Sequence, residues 1–338
     1  MRVLVLTPYP PMRGGIAAYG GQAVDHLRSR GDEVSVASPK PSDAEYVVDV
    51  RERGAGLALA RLARRFDRLI VQFQPEMLGD PGTTRLVRGR ALLRLAVGLW
   101  AARSSELYVH EIDYGNGPLA LLMRAAVRPV LAHADLLTVH TEREREDLSR
   151  WFRLDKQRIR VVSQGAYMQP ATRSTRAESR EALGLPADGV MFLAIGFLHP
   201  RKGFDRAIRG FASLRSDQAR LYIVGSMWRD DAIARGHVQE LRQLAEQTPG
   251  VEVREGYLSD EDFDRWIVAS DVLVLPYRVG WSSNVMERGL LYQRPVIMWD
   301  VGGMGEQGTQ RQNVTLVADE AELVRAMREA EGAPLSTP

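Results

Sequence analysis

The sequence predicts an α/β protein made of two doubly wound domains, each with a parallel sheet, facing one another. Three observations carry this. Short, near-continuous apolar runs alternate with longer stretches of helical spacing along both halves of the chain. The alternation breaks once, at the polar, turn-forming stretch QPATRSTRAES, Gln169 to Ser179, and then restarts. The length, 338 residues, exceeds what one hydrophobic core comfortably holds. Domains are therefore expected over 1–168 and 180–338, with 169–179 as the linker.

In the first half the strands are RVLVLT (2–7), EVSVAS (33–38), RLIVQF (68–73), ELYVH (106–110), LLTVH (136–140) and RIRVVS (158–163). Helices are expected over 15–30, where Gly31 closes the helix, and over 84–102, 118–133 and 142–152. Strands without polar alternation are those of a parallel sheet covered on both faces. In the second half the strands are VMFLAI (190–195), RLYIVG (220–225), VEVREG (251–256), DVLVLP (271–276) and PVIMWD (295–300). Helices start at Phe204 and Asn284 and span 231–246, 260–269 and 320–330. After Lys202, Phe204, Ala207, Ile208, Phe211 and Leu214 share one helical face.

Composition excludes several classes of function. A formal net charge of +2, with scattered basic residues and no aromatic-basic interleaving, argues against a nucleic-acid partner. The absence of cysteine excludes disulfides and thiolate sites, and fits a reducing, cytoplasmic setting. The apolar run near Met1 is too short for a signal-peptide core, and no window reaches the length of a spanning helix. His26, His133, His140 and His237 lack metal-ligand spacing, so no metal is expected. In SDEDFD, Ser259 and Asp262 are spaced as a helix cap rather than as a metal–nucleotide site.

Ligands of doubly wound sheets sit at the carboxyl ends of the strands, which directs attention to four loops. In TPYPPMRGGIAAYGGQ, Gly14 and Gly15 open a helix; bare amides there attract phosphate, although paired glycines at such a turn are more often plain geometry. In AIGFLHPRKGFDRAI, Arg201 and Lys202 occupy a strand-to-helix turn. The chain has only three lysines, Lys40, Lys156 and Lys202, and a compact ammonium suits a diphosphate leaving group. In LPYRVGWSSNVMERGLLYQ, Ser283 and Asn284 start a helix, and Asn284 and Glu287 have capping-box spacing. A carboxylate at that place equally matches two ribose hydroxyls. In LYVHEIDYGNG, His110 ends a strand ahead of Glu111 and Asp113, where it suits a sugar hydroxyl or an acceptor.

Taken together, these loops resemble the retaining, sugar-nucleotide-dependent glycosyltransferases of the GT-B fold, family 4, over nearly the whole chain. TPYPPMRGGIAAY is similar to that family's N-terminal glycine loop, ADLLTVHTEREREDL to its "ADxVxxxSxxxxxxL" segment, and GFLHPRKGFDRAI to "GRLxxxKGxDxLI". VEVREGYLSDEDFDRWIVASDVLVLP resembles its "VxFxGxxxxxxLxxxxxxADVxxxP" stretch. The resemblance implies an acceptor-side first domain and a donor-binding second domain. It implies Lys202 at the donor diphosphate, with Arg201 beside it, and Gly14 and Gly15 approaching the diphosphate. It further implies phosphate contacts from Ser283 and Asn284, Glu287 on the ribose, Gly256, Tyr257 and Leu258 along the base, and His110 near the moving sugar. The sequence departs from the pattern twice: Val279 stands where the first glutamate of E-x7-E belongs, and Phe197 where an arginine follows the glycine.

The expected activity is transfer of a hexosyl-type sugar from a UDP- or GDP-sugar to a hydroxyl acceptor (a glycan, glycolipid or small molecule), with no cofactor. The alternatives are a sugar-nucleotide 2-epimerase or an inactive, donor-binding partner subunit. TTRLVRGRALLRLAVGLWAARS (83–104) sets five arginines among leucines and Trp100. That pattern fits either a helix in a membrane surface or a core helix with an arginine-rich outer face.

Overall fold

The computed structural model describes residues 1–12, 14–79, 83–110, 118–227, 230–309 and 311–333. The chain divides into two compact units, Met1–Tyr167 and Met168–Pro338.

In chain order the first unit runs β1 (Arg2–Leu6), α1 (Gly15–Ser29), β2 (Glu33–Ser38), β3 (Tyr46–Val47), α2 (Ala55–Ala63), β4 (Arg68–Phe73), α3 (Arg85–Ala101), β5 (Ser105–Val109), α4 (Pro118–His133), β6 (Leu136–Val139), α5 (Glu142–Phe152) and β7 (Ile159–Val161). The seven strands are parallel, in the order β3-β2-β1-β4-β5-β6-β7. Leu4 is in register with Ser35 on one side and Leu69 on the other. One sheet face, including Leu4, Val71 and Leu107, packs against Leu59 of α2, Leu95 of α3, Leu131 of α4 and Leu148 of α5. The opposite face, with Val3, Val5 and Val36, is covered by Tyr19, Ala23 and Val24 of α1. A Cβ on Gly98 would lie 2.3 Å from Leu59 Cδ2, so glycine is what lets α2 and α3 close up.

The second unit runs α6 (Arg176–Ala182), β8 (Val190–Ile195), α7 (Phe204–Ala212), β9 (Ala219–Gly225), α8 (Ala232–Glu246), β10 (Val251–Glu255), α9 (Asp260–Ala269), β11 (Val272–Leu275), α10 (Asn284–Leu291), β12 (Val296–Trp299), α11 (Gly303–Thr309), β13 (Val314–Val317) and α12 (Glu320–Gly332). Its six parallel strands are ordered β10-β9-β8-β11-β12-β13, with Leu193 in register with Tyr222 and Leu273. The core joins Phe192 and Leu193 of the sheet to Phe204, Ile208 and Phe211 of α7 and to Trp266 and Ile267 of α9.

Residues 169–179, expected as a linker, are in large part built into this unit. Ala171 N donates to Asp264 at 2.8 Å, Thr175 and Glu178 form a capping box on α6, and Arg176 Nε donates to Asp271 at 2.8 Å. The polarity of that stretch comes from capping and ion pairing.

In each sheet the strand order reverses once, between β1 and β4 in the first and between β8 and β11 in the second. Loops leaving adjacent strands in opposite directions open a crevice there, which is where such sheets take ligands.

Candidate functional site

The crevice of the second unit is flanked by the loops after β8 and β11. After β8 the chain forms a single 3-10 turn, Pro200–Lys202, before α7. His199 caps this turn by accepting from Arg201 N at 3.1 Å. Burial, then the Arg201 charge, lowers the His199 pKa and keeps that ring nitrogen able to accept. Gly203 follows with φ 64°, and a Cβ there would lie 2.0 Å from Pro276 O. The two loops therefore touch, and only glycine permits it.

Arg278 locks the contact. Its amide donates to Arg201 O at 2.8 Å and its guanidinium to Pro200 O at 2.9 Å. The same guanidinium grips Asp205 with two bonds of 2.7 Å each, and Arg209 adds a third of 2.7 Å. Asp205 is 2% exposed. Burial works against its ionisation, but the hydrogen bonds and charge of Arg278 prevail and hold its carboxyl below the usual range. Lys202, half-buried on this tethered turn, sets its Nζ 3.8 Å from the centre of the Tyr277 ring. A ring face attracts an ammonium without neutralising it, so the charge stays available. Arg201 is exposed beside it.

The loop after β11 ends in α10. The structure makes Ser283 the N-cap: its hydroxyl accepts from Met286 N at 3.2 Å and keeps its own proton to donate. Asn284 is thus the first helical residue, and Glu287 does not close the capping box that its spacing predicted. Its carboxylate accepts instead from Gln307 Nε2 at 3.0 Å and from Arg311 Nη2 at 3.0 and 3.2 Å. The Ser283 amide goes to Gln307 Oε1 at 2.9 Å. The first-turn amides of Asn284 and Val285 are those a helix leaves for an outside acceptor. Gly256 and Tyr257 are exposed and Leu258 half-buried, at the carboxyl end of β10. Ser259 caps α9 by accepting from Asp262 N at 3.0 Å, as its spacing predicted.

In the first unit Gly14, with φ 147°, precedes α1, which begins at Gly15 without a side-chain cap. Glu111 and Asp113 lie outside the described residues. His110 is 4% exposed and sits in a buried chain of polar groups. His140 Nδ1 faces Val162 O at 3.1 Å, His140 Nε2 faces His110 Nδ1 at 3.1 Å, and His110 Nε2 faces the Gln72 carboxamide at 2.5 Å. A carbonyl only accepts, so His140 Nδ1 carries a proton. With neutral rings, His140 Nε2 then accepts from His110 Nδ1, and His110 Nε2 needs a donor. Turning the Gln72 carboxamide over supplies it, and also partners the Gln72 Nε2 that is otherwise buried and unbonded. Tyr19 packs edge-on against both imidazoles, with ring centres 4.9 and 5.6 Å away.

Burial, with His140 beside it, holds His110 well below its ordinary 6.5. The unfolded chain therefore takes up this proton first as pH falls, so the stability due to His110 is full above 6.5 and declines below it. The thermal midpoint is expected to fall between about pH 7 and pH 5, more steeply for wild type than for His110→Gln. Equal slopes would contradict a neutral, buried His110.

Sequence reasoning missed Asp205, Tyr277, Arg278, Gln72 and His140, which hold the predicted residues in place. The structure puts Lys202, Arg201, Ser283 and Gly256–Leu258 on carboxyl-edge loops of the second unit with Asn284 and Glu287 in the first turn of α10, and Gly14 and His110 on such loops of the first unit with Gly15 opening α1.

Comparison with known families decides the class of protein. Residues 14–165 match the family described as Glycosyl transferase 4-like domain, and residues 189–331 match Glycosyl transferases group 1. The first unit belongs to the glycosyltransferase 4-like domains and the second to the group 1 glycosyltransferases. The D-inositol 3-phosphate glycosyltransferase of Xylanimonas cellulosilytica is 30% identical over 186 residues, covering 52% of this chain and 43% of that one. This chain thus spans less than half the length of that relative. The protein of the same name from Rhodococcus jostii is 27% identical across 86% of this chain and 71% of its own. Among solved structures, Anabaena HepE in complex with UDP-glucose superposes with a TM-score of 0.73 at 16% identity, covering 97% of this chain and 89% of that one. Sucrose-phosphate synthase from Thermosynechococcus elongatus gives 0.69 at 17% identity, with the same coverages of 97% and 89%. At such identities the likeness is one of fold: this glycosyltransferase has the two Rossmann-like units of the GT-B class. Val279, at the place of the motif's first glutamate, is 43% exposed.

Proposed function

We propose that this glycosyltransferase moves a hexosyl-type sugar from a UDP- or GDP-sugar to a hydroxyl acceptor, with retention and without a metal ion. The observation that carries the reading is the tethered Lys202 ammonium at the β8/β11 crevice. As the bond from the anomeric carbon to the β-phosphate oxygen breaks, negative charge grows on the departing nucleoside diphosphate. Lys202 and the first-turn amides of α10 meet that charge as it forms, which lowers the barrier more than it tightens substrate binding. The Ser283 hydroxyl donates to the same phosphates, and Arg201 adds positive charge nearby. The bond from the sugar to the acceptor oxygen forms as the diphosphate leaves, and the acceptor hydroxyl's proton passes to the departing β-phosphate oxygen.

Glu287 accepts from the ribose hydroxyls, sharing its carboxylate with Gln307 and Arg311, and Tyr257 offers an exposed ring to the base. Gly14 and Gly15, at the uncapped start of α1, offer amides suited to a phosphate. His110, a neutral ring, suits a sugar hydroxyl that takes over the place of Gln72. An apolar, exposed Val279 supports a second reading, a donor-binding subunit that has lost catalysis.

Incubation with labelled UDP- and GDP-sugars separates the readings. Slow hydrolysis, or transfer when a hydroxyl acceptor is supplied, is the expected result. Epimerised donor would make the protein an isomerase, and tight binding without turnover would leave the inactive subunit.

A further inference from the structure

Three neighbouring helices of the first unit carry a surface that the transfer reaction does not use. Helices α2, α3 and α4 lie side by side on one face of the sheet, α2 packed on α3 and α3 on α4. Their inward positions, among them Leu59, Leu92, Leu95, Leu99 and Leu131, belong to the core. Their outward positions are apolar as well. Leu57, Leu86, Leu93, Trp100, Leu121 and Leu122 are each between 63% and 70% exposed. On α3 the outer residues Leu86, Arg90, Leu93, Val97 and Trp100 recur at helical spacing, so they form a stripe opposite the core stripe.

Charge on these helices has one sign. Together they carry seven arginines, at 61, 85, 88, 90, 94, 124 and 128, and no aspartate or glutamate. Arg94 donates to the carbonyl oxygens of Val50 and Arg51, and Arg128 to that of Phe152, contacts that leave both positive charges in place. Acidic residues lie in the connections to these helices and on α5: Asp49 and Asp67 are paired with Arg51 and Arg103, and on α5 Glu142, Glu146 and Asp147 are paired with Arg145, Lys156 and Arg150. No described helix is long and apolar enough to cross a membrane.

We propose that the outer face of α2, α3 and α4 docks on a membrane surface containing anionic phospholipid. Large apolar side chains in a broad exposed patch mark an interaction site. A protein partner matched to this face would need a surface wholly acidic and apolar, whereas a bilayer offers both properties together. Leucines and a tryptophan enter the boundary between headgroups and acyl chains, while arginine stems reach the phosphates. The attraction adds up over each arginine near the surface and is screened by salt.

Flotation of the full chain with vesicles tests this. Vesicles of phosphatidylglycerol and phosphatidylcholine in equal parts are expected to carry the wild-type protein up the gradient, and phosphatidylcholine alone to leave it behind. Raising the salt should release it. Leu93→Ser with Trp100→Ser is expected to weaken binding at least tenfold without moving the thermal midpoint, because both positions are solvent-facing. Arg90→Glu should weaken it too, and Ile233→Ser, an equally exposed apolar position on α8 of the second unit, should not. Failure of wild type to float with the anionic vesicles overturns the proposal. So does equal loss in the Ile233 variant, or a concentration-dependent dimer that the Leu93 and Trp100 changes dissolve, since the face would then serve a second copy.

Discussion

Lys202→Ala is expected to reduce kcat/KM by about a hundredfold or more, the usual loss when one group facing a developing charge is removed. That factor corresponds to roughly 2.7 kcal/mol of transition-state stabilisation. Most of the loss should fall on kcat, because the diphosphate gains its extra charge only as the glycosidic bond breaks. Folding should hardly suffer. The lysine is half-buried, and its packed contact is the Tyr277 ring face, worth about 0.5–1 kcal/mol at a partly exposed site. An unchanged thermal midpoint beside a collapsed rate would therefore assign the effect to chemistry. Lys202→Arg should recover only part of the rate, since a planar fork on a different stem does not reproduce a point charge. A normal rate for the alanine variant would remove Lys202 from the reaction.

Arg278→Ala should act on both stability and rate. Asp205 would keep its buried place and lose the two-bond grip, and breaking a buried pair costs about 3–5 kcal/mol. Arg209 still reaches one oxygen, so the lower end is expected. At about 2–4 °C per kcal/mol the midpoint falls by roughly 6–12 °C. The tether between the two loops goes with it, so kcat should drop about tenfold well below the midpoint, as for other lost positioning contacts. The stability gap should also depend on pH. The folded Asp205 pKa lies below the ordinary 3.8, so the pair contributes fully above that value and its contribution is lost as pH falls through the folded pKa. The wild type and Arg278→Ala should converge in acid. Equal midpoints and equal rates at neutral pH would show that the tether does not matter.

Much of this was legible in the residues. Continuous apolar strands reveal a covered parallel sheet, so β1, β4, β8 and β11 could be read almost to the residue. The loops at their carboxyl ends followed from topology alone. Other elements left no such trace. Strand β3 is two residues long, α2 is an alanine- and leucine-rich segment whose one polar side chain is Arg61, and α11 contains three glycines. Each is held by its neighbours, not by its own pattern. The missed site residues have one cause in common. Asp205, Arg278, Gln72 and His140 bond to groups 30 or more positions away in the chain, and local spacing does not record a partner at that distance. Glu287 shows the converse: its spacing to Asn284 fits a cap, yet Gln307 and Arg311 take the carboxylate.

A crystal structure with UDP bound tests the central claim most directly. The β-phosphate should lie within hydrogen-bonding reach of Lys202 Nζ, about 2.7–3.2 Å, and against the first-turn amides of α10. Phosphates bound away from the β8/β11 crevice, with Lys202 still resting on Tyr277, would contradict it.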